Sequence, residues 1–311
     1  MAESSIRTPD SPPGRGRPEL LVVGAATRDL DPADARGWRL GGTVSYAALA
    51  AARLGIRVRA LVGADAEAAV ARELDVLRDA GVAIVVAPLA HGPIFENRQM
   101  GNARQQFVVG VSDRIPTTAL PPEWRNPTAV LLGPVADELG DEWADAVPKG
   151  ALVALAWQGL LRDLVPGEPV RIKPLTPTPL VRRADIAFVS AEDVDAGGPR
   201  LESVLRDGQE LFVTHGDMGA LHIRTAGGAR RARFIPPRPR RTPIDTTGAG
   251  DTFLAAYVAA RLAALQLVGT KDEWRLEAIA AAMASLNVEA PTLEHVPSLR
   301  ELCAALLTPR S

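Results

Sequence analysis

Residues 245–253 read Asp-Thr-Thr-Gly-Ala-Gly-Asp-Thr-Phe, and the reading of this string governs the reading of the rest of the chain. Gly248, Ala249 and Gly250 sit where a loop opens a long helix predicted over 250–265. Small residues let the backbone come close to a ligand, and successive N–H groups at a helix N-terminus make an anion site. Such a site suits a phosphoryl group, whose equatorial oxygens carry charge in the transition state. Asp251 falls in the first turn, within reach of the same point, where a carboxylate can accept the proton of an attacking hydroxyl. The helix dipole is expected to favour its ionised form and leave it a weak base. Phosphoryl transfer tolerates a weak base, because it relies on positioning and charge stabilisation. The bland alternative is a helix cap, with Asp251 as a first-turn acid and the glycines serving only the turn.

Upstream of this string the chain alternates short apolar runs with amphipathic ones. Residues 19–25, 58–62 and 82–87 read as buried strands, and 43–54 and 66–80 as helices, the second with Val70, Leu74 and Leu77 on its apolar face. This β-α-β-α-β rhythm predicts an α/β fold with parallel strands and right-handed crossovers. The rhythm resumes with strands at 129–132, 152–156, 186–190 and 211–214, and with short helices near 138–146 and 199–206. An antiparallel pair is predicted at 220–224 and 232–235 around Ala226-Gly227-Gly228, and late helices over 273–287 and 299–307. Residues 94–111 break the pattern. Their Gly101-Asn102 turn signal predicts a hairpin outside the helix-covered core, with 31–40 adding an edge strand to form a small lid. The proline-rich tract 236–243 cannot be a central strand and reads as a connector.

The nine-residue string closely resembles the C-terminal signature of the ribokinase-like (PfkB) carbohydrate and nucleoside kinases. Leu40-Gly41-Gly42, with the alanine-rich helix and Leu54-Gly55 that follow, looks like the N-terminal signature of the same family. The resemblance implies a ribokinase-like three-layer α/β/α sandwich with a mostly parallel central sheet and a small β lid. It implies one kinase domain over 18–311, with lid segments near 31–40 and 93–112, behind a disordered tail at 1–17. It also implies roles. Asp251 is the catalytic base, with Gly248, Ala249 and Gly250 forming the anion loop. Gly41, Gly42 and Asp29 lie against the acceptor, a carboxylate suiting vicinal hydroxyls because it accepts two hydrogen bonds. Read alone, Gly41-Gly42 is a turn and Asp29 a solvated loop acid. Thr214, Gly216 and Gly219 resemble the family's Thr-x-Gly-x-x-Gly strand end at the nucleotide phosphates, although a simple β-turn also fits. Ser190-Ala191-Glu192-Asp193 stands where the family has Asn-x-x-Glu, so Ser190 is assigned to the nucleotide and Asp193 or Glu192 to Mg²⁺ through water. Thr247 and Asn287 are assigned to the cofactor side, Asn287 ending a helix that resembles the wall of the adenine pocket. Some family members bind K⁺, and Asp245, Thr247 and 287–292 occupy comparable places.

The expected reaction is transfer of the terminal phosphoryl group of ATP to a hydroxyl. Tyr46 replaces the asparagine usual after Gly-Gly, which sets the chain apart from ribokinase itself. Phe95-Glu96-Asn97 with Arg104-x-Gln106, Trp157-Gln158-Gly159-Leu160-Leu161-Arg162 and Ile235-Pro236-Pro237 resemble the inositol-kinase branch. They point to a neutral polyol such as myo-inositol, met by Asn97, Gln158 and Arg162. A sugar acid or a nucleoside is the alternative acceptor, and a catalytically inactive binding protein is the alternative class. The remaining composition narrows partners rather than chemistry. The formal net charge of -2 offers no general field for nucleic acid, the single cysteine allows no intrachain disulfide, and no apolar run is long enough for a bilayer. A cytoplasmic protein is expected, with a homodimer through the lid among its possible assemblies.

Overall fold

The computed structural model describes residues 18–100, 103–194, 201–238, 243–266 and 273–307. The expected tail at 1–17, the Gly101-Asn102 turn, the start of the predicted helix at 199–206 and part of the proline-rich connector lie outside the described residues. The strands in chain order are β1 (Glu19–Ala25), β2 (Thr27–Leu30), β3 (Trp38–Gly41), β4 (Arg57–Ala64) and β5 (Ala83–Pro88). They continue with β6 (Ile94–Met100), β7 (Ala103–Gly110), β8 (Ala129–Leu132), β9 (Leu152–Ala156) and the two-residue β10 (Arg162–Asp163) and β11 (Arg171–Ile172). The last are β12 (Ile186–Ser190), β13 (Glu210–Thr214), β14 (Ala220–Ala226) and β15 (Ala229–Ile235). The helices are α1 (Thr43–Arg53), α2 (Glu73–Asp79), α3 (Trp143–Ala146), α4 (Pro179–Arg183), α5 (Ala249–Gln266), α6 (Glu273–Asn287) and α7 (Leu299–Leu307).

Nine strands form one sheet in the order β15-β14-β13-β12-β9-β8-β1-β4-β5. All neighbours from β13 to β5 are parallel, and β14 and β15 are added antiparallel at one edge. The parallel strands are mostly apolar because both of their faces are covered, with charged residues confined to their first few positions, as at Glu19, Arg57, Arg59 and Glu210. Along β1, Leu20 and Val22 enter one core with α1, α5 and α6, while Leu21 and Val23 enter a second core with Trp143 and Trp157. The alternation of β-strand side chains thus builds the expected three layers. A separate four-stranded sheet, β3-β2-β6-β7, is the lid.

Two lid and helix expectations are corrected. The first lid segment is not 31–40 as a strand; β2 begins at Thr27, and 31–37 is a turn returning the chain to β3. The helix expected over 66–80 is a single 3₁₀ turn at Ala68–Val70 followed by α2. Val70 is 82% exposed, whereas Ala68 and Ala71 are buried. Alanine fits either face, so periodicity chose the bulkier residue wrongly.

The antiparallel edge is tied to the helices by a buried charge cluster. Glu210 on β13 accepts hydrogen bonds from Tyr257 (2.7 Å) and Arg261 (2.6 Å) on α5 and from Arg224 (2.7 Å) on β14. His222 on β14 lies between Glu210 at 3.2 Å and Glu277 of α6 at 2.5 Å. Burial opposes a charge on His222, but the two carboxylates outweigh it and raise its pKa. A raised histidine pKa gives stability that is full below about pH 6.5 and is lost as pH climbs through the folded-state value. Thermal denaturation between pH 6 and 10 is therefore expected to show an alkaline decline in Tm that His222→Gln flattens. An equal slope in both proteins contradicts this assignment.

Candidate active site

The C-terminal ends of β1, β8, β9, β12 and β13 open on one cavity of about 790 Å³. Ligands bind at this end of open α/β sheets, where strand order reverses. Thr27 after β1, Val135 after β8, Gln158 after β9, Ser190 ending β12 and Thr214 ending β13 line it in turn. Strand order then sets the layout. Thr214, Gly216 and Gly219 belong to the β13–β14 flank, and Asp29 and Asn97 come from β2 and β6 of the lid beyond β1. Helix α5 packs on β9 and β12 and against α1, so its first turn falls between the two flanks.

Asp251 occupies that first turn, opening on the cavity with protein on its other sides. Desolvation pushes its carboxyl up to about 6, against the neighbouring Thr43 side chain and the positive charge of Arg162, while Asp193 adds to the rise. This corrects the expected balance. Removal from water works against the ionised form that the helix dipole was expected to favour. A carboxylate near 6 is still ionised at neutral pH and takes a proton more readily.

The loop before it is fixed by contacts. Gly248 has φ of 73°, and the Tyr46 ring occupies the space where a side chain would stand. Asp245 caps the loop by accepting from the Thr247 N–H at 2.9 Å. Gly248→Ala must pay for a left-handed backbone and displace Tyr46, shifting the loop. A fall in kcat of at least about 100-fold is expected in a turnover assay, as for small misplacements of reacting groups. Gly42, at φ 91°, likewise has no room, since a side chain would meet the Ala25 carbonyl. Gly41 lies behind the cavity wall, where a side chain would strike Asp29 and Thr27.

Most of the expected residues converge. Asp29, Gly42, Asn97, Gln158, Arg162, Ser190, Glu192, Asp193, Thr214, Gly216, Gly219, Thr247 and Gly248 through Asp251 all line this cavity. Asn287 does not. It is buried, donating to the Thr247 carbonyl at 3.0 Å and accepting from the Thr252 hydroxyl at 3.3 Å, so it braces the anion loop from behind. The wall expected for a base is made instead by Ala281, Ala284, Ser285 and Val288 with Ile235 and Pro236. These small and mostly apolar side chains leave an apolar slot in the cavity wall. The Arg104 side chain lies outside the described residues.

The residues assigned to Mg²⁺ fit a protein-held ion poorly. Asp193 is buried, and one carboxylate oxygen accepts from Arg162 Nε at 3.1 Å and Nη2 at 2.8 Å, while the other accepts from Gln158 at 3.4 Å. Glu192 is exposed at the rim. Among the described residues no group of three or more acidic, histidine or cysteine side chains is arranged to hold a metal.

Sequence reading missed Glu138, which was taken as the start of a helix. It is fully buried and accepts from the N–H groups of Ala25 (2.9 Å), Val135 (3.0 Å) and Ala136 (2.8 Å). It thereby joins the end of β1 to the loop after β8, and Val135 lines the cavity. Burial raises its pKa, against the pull of those N–H groups. The only local signal is an acid three residues after Val135 in an apolar stretch.

The architecture is that of the ribokinase fold, a large mostly parallel sheet between helices with a small separate sheet. Within it, residues 180–297 match the family model described as pfkB family carbohydrate kinase. A pyrophosphate-dependent kinase of the ribokinase family, complexed with a pyrophosphate analogue and myo-inositol, superposes with TM-score 0.72 at 19% identity, covering 92% of this chain and 99% of that one. The nucleoside kinase of Methanocaldococcus jannaschii gives 0.67 at 18% identity, covering 94% and 99%. The ribokinase of Arabidopsis thaliana, complexed with ribose and ATP, gives 0.66 at 19% identity, covering 94% and 100%. No curated protein matches the sequence. Among the described residues no helix is long and apolar enough to cross a membrane.

Proposed function

We propose that this chain is a phosphotransferase that moves the terminal phosphoryl group of ATP to a hydroxyl of a polyol, with myo-inositol the leading acceptor. The observation that carries the reading is Asp251, a carboxylate near 6 at the mouth of a glycine-rich helix start, in one cavity with polar acceptor-side and phosphate-side groups. In the reaction, Asp251 takes the proton of the acceptor hydroxyl. The acceptor oxygen bonds to phosphorus, and the bond from phosphorus to the bridging oxygen breaks, its electron pair leaving on the terminal oxygen of ADP. The N–H groups of Gly248 and Gly250 serve the charge that builds on the phosphoryl oxygens, while the Ala249 N–H closes the turn onto the Thr246 carbonyl. Asp29, Asn97 and Gln158 offer the polar partners that a neutral polyol needs. Mg²⁺ would supply charge on the donor's phosphate oxygens and travel with the donor, since it keeps its waters and needs no protein cage. Cation dependence on K⁺, a cytoplasmic location and a lid-mediated homodimer stay with this proposal as expectations.

A second donor is favoured by one observation. The neighbour with the TM-score of 0.72 is pyrophosphate-dependent. The slot beside Ala284 and Val288 favours a nucleotide, and pyrophosphate would leave it unused. The deciding experiment is a matrix of donors (ATP, pyrophosphate) against acceptors (inositols, ribose, sugar acids, nucleosides), read by phosphorylated product. Turnover of inositol with ATP supports the reading. Turnover confined to nucleosides or sugar acids replaces the acceptor, and binding without transfer anywhere in the matrix replaces the class.

A further inference from the structure

The motif Ser190 to Asp193 raises a question that its resemblance does not answer. Its last acid is shorter than the glutamate expected there, and its carboxylate is already occupied. The occupant, Arg162, is 31 residues away in sequence and is itself nine-tenths buried, with 10% of its side chain exposed. Two of its three nitrogens, Nε and Nη2, grip the same Asp193 oxygen. Gln158, one turn earlier in the chain, holds the other oxygen and so fixes the carboxylate plane. The guanidinium also lies 6.0 Å from the centre of the buried Phe95 ring. Nη1 makes no hydrogen bond within the protein among the described residues, and Arg162 lines the cavity. Its charge acts on Asp251, where it opposes the rise in pKa. A buried arginine is thus held rigidly beside the base with one nitrogen uncommitted.

We propose that Arg162 is the cation of phosphoryl transfer in this chain, its Nη1 meeting the transferring phosphoryl oxygens, and that Asp193 is the positioning residue that aims it rather than a holder of metal-bound water. The inference rests on the phosphotransfer reading above. The uncommitted Nη1 brings N–H donors and a permanent positive charge to the cavity, and the pairing of Nε and Nη2 with Asp193 fixes its direction. It meets phosphoryl charge that is redistributed as the bond to the donor breaks, and its Nη1 is aimed at the phosphoryl group rather than at the acceptor, so it acts on the rate and not on acceptor binding. Asp193 contributes by holding Arg162 within hydrogen-bond reach of that charge.

The test uses the full-length protein with the donor and acceptor found above, and measures kcat, acceptor KM and the Mg²⁺ concentration for half-maximal rate. Arg162→Ala is expected to lower kcat about 1,000-fold, in the range seen for arginines at phosphoryl transfer, while acceptor KM stays within about threefold. Added guanidinium is expected to restore part of that loss. Asp193→Asn is expected to lower kcat about 10- to 100-fold with the Mg²⁺ requirement unchanged, and to cost nothing further in the Arg162→Ala background, as for two residues acting as one unit. A raised acceptor KM with kcat kept in Arg162→Ala overturns the assignment in favour of an acceptor ligand. A tenfold weaker Mg²⁺ requirement in Asp193→Asn, additive with Arg162→Ala, overturns the positioning role. Removing Arg162 alone leaves a buried unpaired carboxylate that can prevent folding. The double variant Arg162→Gln with Asp193→Asn removes both charges, and wild-type turnover by that folded protein also overturns the proposal. Absence of turnover by the wild type on every donor and acceptor overturns the phosphotransfer reading itself, a result separate from all of these.

Discussion

Asp251→Asn is expected to reduce turnover by at least about 1,000-fold while leaving the far-UV circular dichroism spectrum unchanged, the scale of loss seen when a general base is removed from a preorganised site. The amide keeps the shape and the first-turn position but cannot take a proton. The pH profile supplies the second readout. With a pKa of about 6 in the free protein, kcat/KM should rise tenfold per pH unit below 6 and level off above it. The same shift has a stability sign. Because the carboxyl is raised, ionising it in the fold costs stability, and that cost grows as pH rises from the unfolded-state value of about 3.9 through 6. Asp251→Asn should therefore raise Tm more at pH 8 than at pH 5. Turnover near the wild-type level, or a Tm that falls at pH 8, removes Asp251 from the role of base.

Glu138→Leu should be among the most destabilising substitutions in the chain. It strips the partner from three buried N–H groups, those of Ala25, Val135 and Ala136. Each orphaned buried donor costs about 1–3 kcal/mol, so a total of roughly 3–9 kcal/mol is expected, a large share of the 5–15 kcal/mol that holds a typical domain together. Urea denaturation measures it through the midpoint. Glu138→Gln is the milder probe, since one oxygen remains and the new amide group faces an N–H group instead of accepting from it. Its acceptor KM should rise, because the loops it joins carry Val135 and lead into Thr27 and Asp29. A midpoint within experimental error of the wild type for Glu138→Leu shows that the three donors have found other partners.

The parts of the fold that were legible in the sequence are those decided by local rules. Strands β8, β9 and β12 and helices α6 and α7 fall at their expected residues, because continuous apolar runs and helical periodicity need no knowledge of neighbours. The anion loop was legible because its chemistry is contiguous. What escaped depends on contacts between distant residues. Asp193 read as a metal-positioning acid until Arg162, brought beside it by β9 and the turn after it, claimed its carboxylate. Asn287 read as a cofactor contact because it ends the right helix, yet it faces the loop backbone. Glu138 and Val70 show the same limit in opposite directions: a charged residue fully inside and an aliphatic one almost fully outside. Asp251 shows it for energetics, since the helix dipole is visible in sequence but desolvation is not.

One residue, Ala26, separates β1 in the large sheet from β2 in the lid. The backbone of Ala26 still bonds to Gly63 of β4, while Arg28 already bonds to Pro93 before β6. Strand and lid are thus joined through a single residue, and Asp29 lies two residues into the lid. Under the proposed function, the acceptor side and the phosphate side therefore lie on different pieces of chain, so substitutions around Asp29 and its lid partners are expected to change the acceptor while leaving β13, β14 and the loop before α5 as they are.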